Sequence, residues 1–225
     1  MELKFPILVV NFKNYPESQG RRGIELAKKI EKAALETGKS VAVAPPTSIL
    51  MKVVEEVQIP VFAQHADPVE ASATTGYIPV EAIKEAGAIG SIINHSEHKV
   101  KKEHIEAVIK KLRSYNLYSL TCAEDPKEAS EIATLEPDII AIEPPELIGT
   151  GISVSKAKPE VITNGVNAVM SINKKIKVLA GAGISYYEDV KKALELGAQG
   201  VLVASAIVKA KDPYAKTLEF LKAFP

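Results

Sequence analysis

The sequence predicts an α/β fold, a closed (β/α)8 barrel forming a single domain over residues 1–225, on three observations. Short apolar runs alternate with longer amphipathic stretches along the chain. The runs are apolar at consecutive positions, which is the pattern of parallel strands covered on both faces. Eight such repeats in 225 residues leave about 28 residues each, the size of a βα unit. An open doubly wound sheet is the competing arrangement. The even pace, with no long interruption and no shift of composition, favours closure.

The first strand is FPILVVN (5–11). GIELAKKIEKAALETG follows it, with apolar residues at helical spacing and lysine or glutamate on the other face. VAVA (41–44) and IPVFA (59–63) supply the next two strands. After them QHADPVEASATTGYIP (64–79) is the longest connection without a helical pattern, and such loops in compact domains are usually functional or interfacial. IGSIIN (89–94) is the fourth strand and EHIEAVIKKLRSYN its helix. YSLTC (118–122), IIAI (139–142), IKVLA (176–180) and QGVLV (199–203) complete the set, with YEDVKKALELG between the last two.

Lysine plus arginine and aspartate plus glutamate both number 28, so net charge offers no attraction for nucleic acid or an anionic membrane. The lone Cys122 excludes an internal disulfide and suits a reducing compartment. MELKFPILVVN reads as a first strand rather than a signal peptide, and no apolar stretch is long enough to span a bilayer. The expectation is a soluble cytoplasmic protein with no membrane and no nucleic-acid partner.

In parallel barrels the chemistry sits where strands end at the C-terminal face. There the sequence places Asn11-Phe12-Lys13 after strand one, Asn94-His95-Ser96-Glu97 after strand four and Glu143 after strand six. The small-residue segments GAGIS (181–185) and ASAIV (204–208) follow strands seven and eight. Taken singly, Lys13 reads as a rim lysine, His95 as a structural histidine and Glu143 as a helix cap. Their shared position argues for a site.

The chemistry of such a set is proton abstraction beside a carbonyl. A partly desolvated carboxylate makes a better base. A histidine at a helix N-terminus, where the sequence places His95, is biased towards its neutral, hydrogen-bond-donating form. A lysine alongside stabilises the developing oxyanion. Backbone N–H groups of the small-residue turns suit a phosphate. Pro144-Pro145 then reads as a stiff hinge and Ile148-Gly149-Thr150-Gly151 as the tip of a lid, with Ile148 as apolar cover and the Gly149 N–H reaching the phosphate.

Asn11-Phe12-Lys13, Asn94-His95-Ser96-Glu97 and the segment from Glu143 to Gly151 together resemble the three signature segments of triosephosphate isomerases, in order and spacing along essentially the whole chain. The resemblance implies a TIM barrel that interconverts dihydroxyacetone phosphate and D-glyceraldehyde 3-phosphate through an enediolate, in glycolysis and gluconeogenesis, with no metal and no organic cofactor. It carries over the family's roles: His95 as electrophile, Glu143 as proton acceptor, and Asn11, Phe12 and Lys13 against the substrate. Ile148, Gly149, Gly183, Ala204 and Ser205 are expected at the substrate through the backbone, and Ser96 and Glu97 behind the catalytic residues.

Glu146 stands where longer members usually carry tryptophan, Ala180–Gly183 replaces their two-glycine turn, Ala204-Ser205 their paired glycines, and Tyr77 the acid after Thr-Gly. These features resemble the shorter archaeal branch. That branch implies self-association, a homotetramer before a homodimer, with Thr75 reaching a neighbouring subunit. The rival is another phosphate-binding barrel: residues 181–208 also look like the closing module of tryptophan-biosynthesis barrels such as tryptophan synthase α chains. A catalytically silent sugar-phosphate-binding barrel is the non-enzyme alternative.

Overall fold

A computed structural model describes residues 2–144, 147 and 159–225 of the chain. Eight strands are present: β1 Ile7–Asn11, β2 Ser40–Ala44, β3 Phe62–Ala63, β4 Gly90–Ile93, β5 Tyr118–Ala123, β6 Ile139–Ile142, β7 Lys177–Ala180 and β8 Gly200–Val203. They form one sheet in the order β2-β1-β8-β7-β6-β5-β4-β3, and the paired strands run parallel. A parallel bridge between Val43 and Val61 closes the seam between β2 and β3. There the Val43 N–H donates to the Pro60 carbonyl at 3.0 Å. Pro60 has no N–H to extend the ladder towards residue 59, and the third strand, expected over 59–63, is two residues long.

Among the described residues the helices are α1 Gly20–Thr37, α2 Leu50–Glu56, α3 Val80–Glu85, α4 Lys102–Ser114, α5 Pro126–Ala133, α6 Pro159–Ile172, α7 Tyr187–Glu195, α8 Ser205–Val208 and α9 Pro213–Leu221. Helix α1 shows the rule that seats them: Leu26, Ala27, Ile30, Ala33 and Ala34 form one buried stripe while its charged residues face outward. Truncating Ile30, fully buried, to alanine is expected to cost about 2–5 kcal/mol. Helices α5 and α9 both begin with Asp-Pro. Asp125 accepts the Glu128 N–H at 2.8 Å, and Asp212 accepts those of Tyr214 and Ala215 at 3.1 Å. Each caps orphan donors, and proline at the first helical position gives up nothing.

Strand alternation divides the buried side chains into two cores. Ile7, Val9, Phe62, Ile92, Leu120, Cys122, Ile139, Ala141, Leu179 and Leu202 share the smaller cluster, inside the barrel. Leu8, Val10, Phe12, Ile93, Ile140, Val178, Val201 and Val203 join the helices in the larger outer cluster. No helix in the described residues is long and apolar enough to cross a membrane.

Candidate active site

The same alternation builds the site. Following the inward positions past the strand ends leads from Ile7 and Val9 to Asn11, from Ile139 and Ala141 to Glu143, from Leu179 to Gly181 and from Leu202 to Ala204. These four line one cleft, together with Lys13, His95, Tyr15, Leu147, Gly183 and Ser205. Phe12 is corrected by this rule. Its place is outward, fully buried in the outer core, so its side chain holds β1 against the helices and does not line the cleft.

Two residues turn the backbone at a strain that most side chains avoid. Lys13 has φ 47° and Asn94 φ 59°, a left-handed conformation that costs a non-glycine residue about 1–2 kcal/mol. Hydrogen bonds hold both in place. The Lys13 N–H donates to Asn11 Oδ1 at 2.9 Å, and Gln64 Nε2 donates to the carbonyls of Lys13 and Ala44, each at 3.0 Å. Asn94, buried, accepts the Val100 N–H at 3.1 Å and donates to the Cys122 carbonyl at 3.0 Å and to Glu128 Oε1 at 3.1 Å.

Residues 95–98 form a single turn closed by the His98 N–H on the His95 carbonyl at 2.7 Å, and helix α4 begins only at Lys102. The expectation of His95 and Glu97 at a helix start is therefore corrected. The tautomer is set locally instead: the Glu97 N–H donates to His95 Nδ1 at 3.1 Å. That nitrogen must present its lone pair, so a singly protonated ring carries its hydrogen on Nε2. Nε2 faces Glu143 Oε1 at 3.2 Å.

Glu143 is only 3% exposed, and its Oε2 has no oxygen or nitrogen partner among the described residues. Beside it lies Cys122, whose thiol ionisation is pushed well up, first by burial and then by the Glu143 charge. Gly181 packs so closely that a Cβ there would come within 2.5 Å of Glu143 Cγ. Lys13 Nζ pairs with Glu97 Oε1 at 2.7 Å, with the lysine side chain 11% exposed and the glutamate 55%.

Gly183, with φ 69°, Ala204 and Ser205 also line the cleft and offer backbone rather than charge. Ser96 Oγ is buried without a partner among the described residues. Thr75 is exposed on the 64–79 connection and is absent from the cleft wall of its own chain. Ile148 and Gly149, like the rest of the expected lid tip, lie outside the described residues.

A family model described as triosephosphate isomerase matches residues 6–223, nearly the whole barrel. The chain belongs to the triosephosphate isomerase family. It is 52% identical to the triosephosphate isomerase of Caldivirga maquilingensis, over 98% of each chain. It is 51% identical to that of Methanothermus fervidus, over 96% of this chain and 97% of the relative. For that of Methanocaldococcus jannaschii the identity is 50%, over 96% of this chain and 99% of the relative.

The family match spans both halves of the barrel, so it separates this chain from phosphate-binding barrels that share only the closing module. The sequence gives no role to Tyr15 or Gln64, none to Asn94 beyond its place in a signature segment, and none to Gly181 beyond its place in the 181–185 turn. Counting inward positions beyond β7 would have found Gly181. Gln64 acts through partners far away in the chain, Lys13 and Ala44, and carries no local signal.

Proposed function

We propose that the protein is a triose-phosphate isomerase, acting as an intramolecular aldose–ketose isomerase on dihydroxyacetone phosphate and D-glyceraldehyde 3-phosphate. The observation that carries this reading is the 3.2 Å approach of His95 Nε2 to Glu143 Oε1 in a buried cleft, with Lys13 on the same rim. Glu143 takes the proton from the carbon beside the carbonyl. The C–H electron pair becomes the C=C bond of an enediolate, and the carbonyl π pair moves to oxygen. Two donors meet that oxygen: the Nε2–H of His95, aimed by the Glu97 N–H, and the ammonium of Lys13. The proton then returns from Glu143 to the neighbouring carbon while the hydroxyl hydrogen of the other oxygen passes, by way of His95, to the first, so one oxygen becomes the carbonyl, the other the hydroxyl, and atoms and charge balance.

The phosphate is read as lying against the backbone of Gly183, Ala204 and Ser205, with Asn11 and Lys13 beside it. Ile148 and Gly149 are assigned the cover over it, and Ser96 and Glu97 the support behind His95 and Lys13. No metal or organic cofactor has a step in this scheme. The protein is read as a single domain of cytoplasmic metabolism that self-associates as a homotetramer, with Thr75 contributing at a subunit contact. One continuous sheet supports the single domain, and the exposed loop at Thr75 supports the contact. The test is a coupled assay on purified protein supplied with dihydroxyacetone phosphate. Aldehyde formation is expected; its absence under conditions where a known isomerase works would refute the reading.

A further inference from the structure

Three of the protein's four histidines gather outside the catalytic cleft, where the 64–79 connection leaves β3 and meets helix α4. The rings of His65 and His98 stack with centroids 4.1 Å apart, and His104 lies tilted at 5.4 Å from His65. We propose that His65, Asp67 and His104 form a structural site for a zinc-class divalent cation, fastening the base of this connection to α4. One ligating atom from each residue falls within 4.8 Å of the other two. The chemistry of the donors selects the ion: two imidazoles and one carboxylate suit zinc and its transition-metal neighbours, whereas calcium and magnesium want oxygen alone.

The surroundings are arranged as metal ligands require. His104 Nε2 lies 2.8 Å from the Ala66 carbonyl, which takes the ring's one hydrogen and leaves Nδ1 with its lone pair. Asp67 Oδ2 accepts the Ile78 N–H at 2.7 Å, fixing the carboxylate, while Oδ1 lies 3.0 Å from His65 Nε2. His65 is half-buried, its side chain 12% exposed. Tetrahedral zinc with bonds of about 2.0 Å holds its ligands about 3.3 Å apart. Closing from 4.8 Å to that spacing takes a shift of about 1.5 Å by the half-buried His104 side chain and leaves a fourth position for water.

The spacing carries no recognisable motif, because two ligands come from the end of β3 and the third from α4. Gln64, immediately before His65, donates to the Lys13 carbonyl, so a cation here would steady the same loop that shapes the active site.

The test uses tag-free, chelator-treated protein titrated with zinc chloride by calorimetry, and with cobalt(II) chloride by visible absorption. The expected result is one ion per chain, the intense cobalt bands of tetrahedral coordination, and a zinc-dependent rise in the unfolding temperature. His104→Ala should weaken zinc about tenfold or more and abolish the thermal shift. His98→Ala, which removes a stacked ring but no ligand, should bind as wild type. Isomerase activity and circular dichroism of both variants report that they are folded. No stoichiometric uptake, or uptake unchanged by His104→Ala, would overturn the site. Loss in His98→Ala with retention in His104→Ala would also overturn it, since it would place the ion elsewhere.

Discussion

At the scale of single residues, the site depends on distances that a methyl group would disturb. Gly181 is the sharpest case, because a Cβ would meet Glu143 Cγ at 2.5 Å and the glutamate would have to move. Gly181→Ala is expected to lower turnover by about a hundredfold, the scale on which a misplacement near 1 Å acts. Far-ultraviolet circular dichroism should stay native. A variant with wild-type turnover would show that Glu143 tolerates displacement. Asn94 is a second case: alanine there would strand the Val100 N–H, drop the bond to Cys122 and keep the left-handed backbone. Denaturant unfolding of Asn94→Ala should show a loss of about 1–3 kcal/mol. Asn94→Gly should recover the part due to backbone strain. Equal stability of the two variants would contradict that division.

Between elements, the connection of β3 to α3 is held by groups that titrate. Burial keeps His65 below the usual histidine range, with Asp67 pulling the other way and His98 and His104 adding to the depression. The unfolded chain therefore binds a proton in a window just below about pH 6.5 where the folded chain does not. Stability must then rise with pH through that window and fall on acidification. Urea midpoints in chelator are expected to be lower at pH 5.5 than at pH 7.5. Carboxylates held low, such as Asp67 and Glu56, the latter drawn down to about 2 chiefly by its hydrogen bond to Lys28, lose their contribution only at more acidic pH. A flat response between pH 7.5 and 5.5 would remove His65 from this account.

Over the whole molecule, repeating units were legible in sequence and tertiary exceptions were not. Apolar runs located all eight strands because parallel strands are covered on both faces, and β3 shortened most, to two residues beside a seam proline that cannot donate. The gathering of Asn11, Lys13, His95 and Glu143 in one cleft was legible because the fold puts strand ends on one rim. The motif does not set Phe12 apart from Asn11 and Lys13, whereas alternation sends its side chain outward. The amphipathic pattern of α4 begins near residue 103, and nothing local in the sequence marks the separate turn at 95–98 that holds His95. The 64–79 loop, the expected subunit contact, is exposed at Thr75, Gly76 and Tyr77. Light scattering on the purified protein should give a mass near four times 24.2 kDa. A monomer at micromolar concentration would end the assembly reading.

The central claim is that Glu143 is the base that moves the substrate's proton. It is tested most directly by comparing wild type with Glu143→Gln, a variant of nearly the same shape, in the coupled isomerisation assay. Turnover should fall by about a hundredfold to ten-thousandfold, the range supplied by a positioned general base, with the fold intact. A Glu143→Gln enzyme that turns over at the wild-type rate would contradict the mechanism.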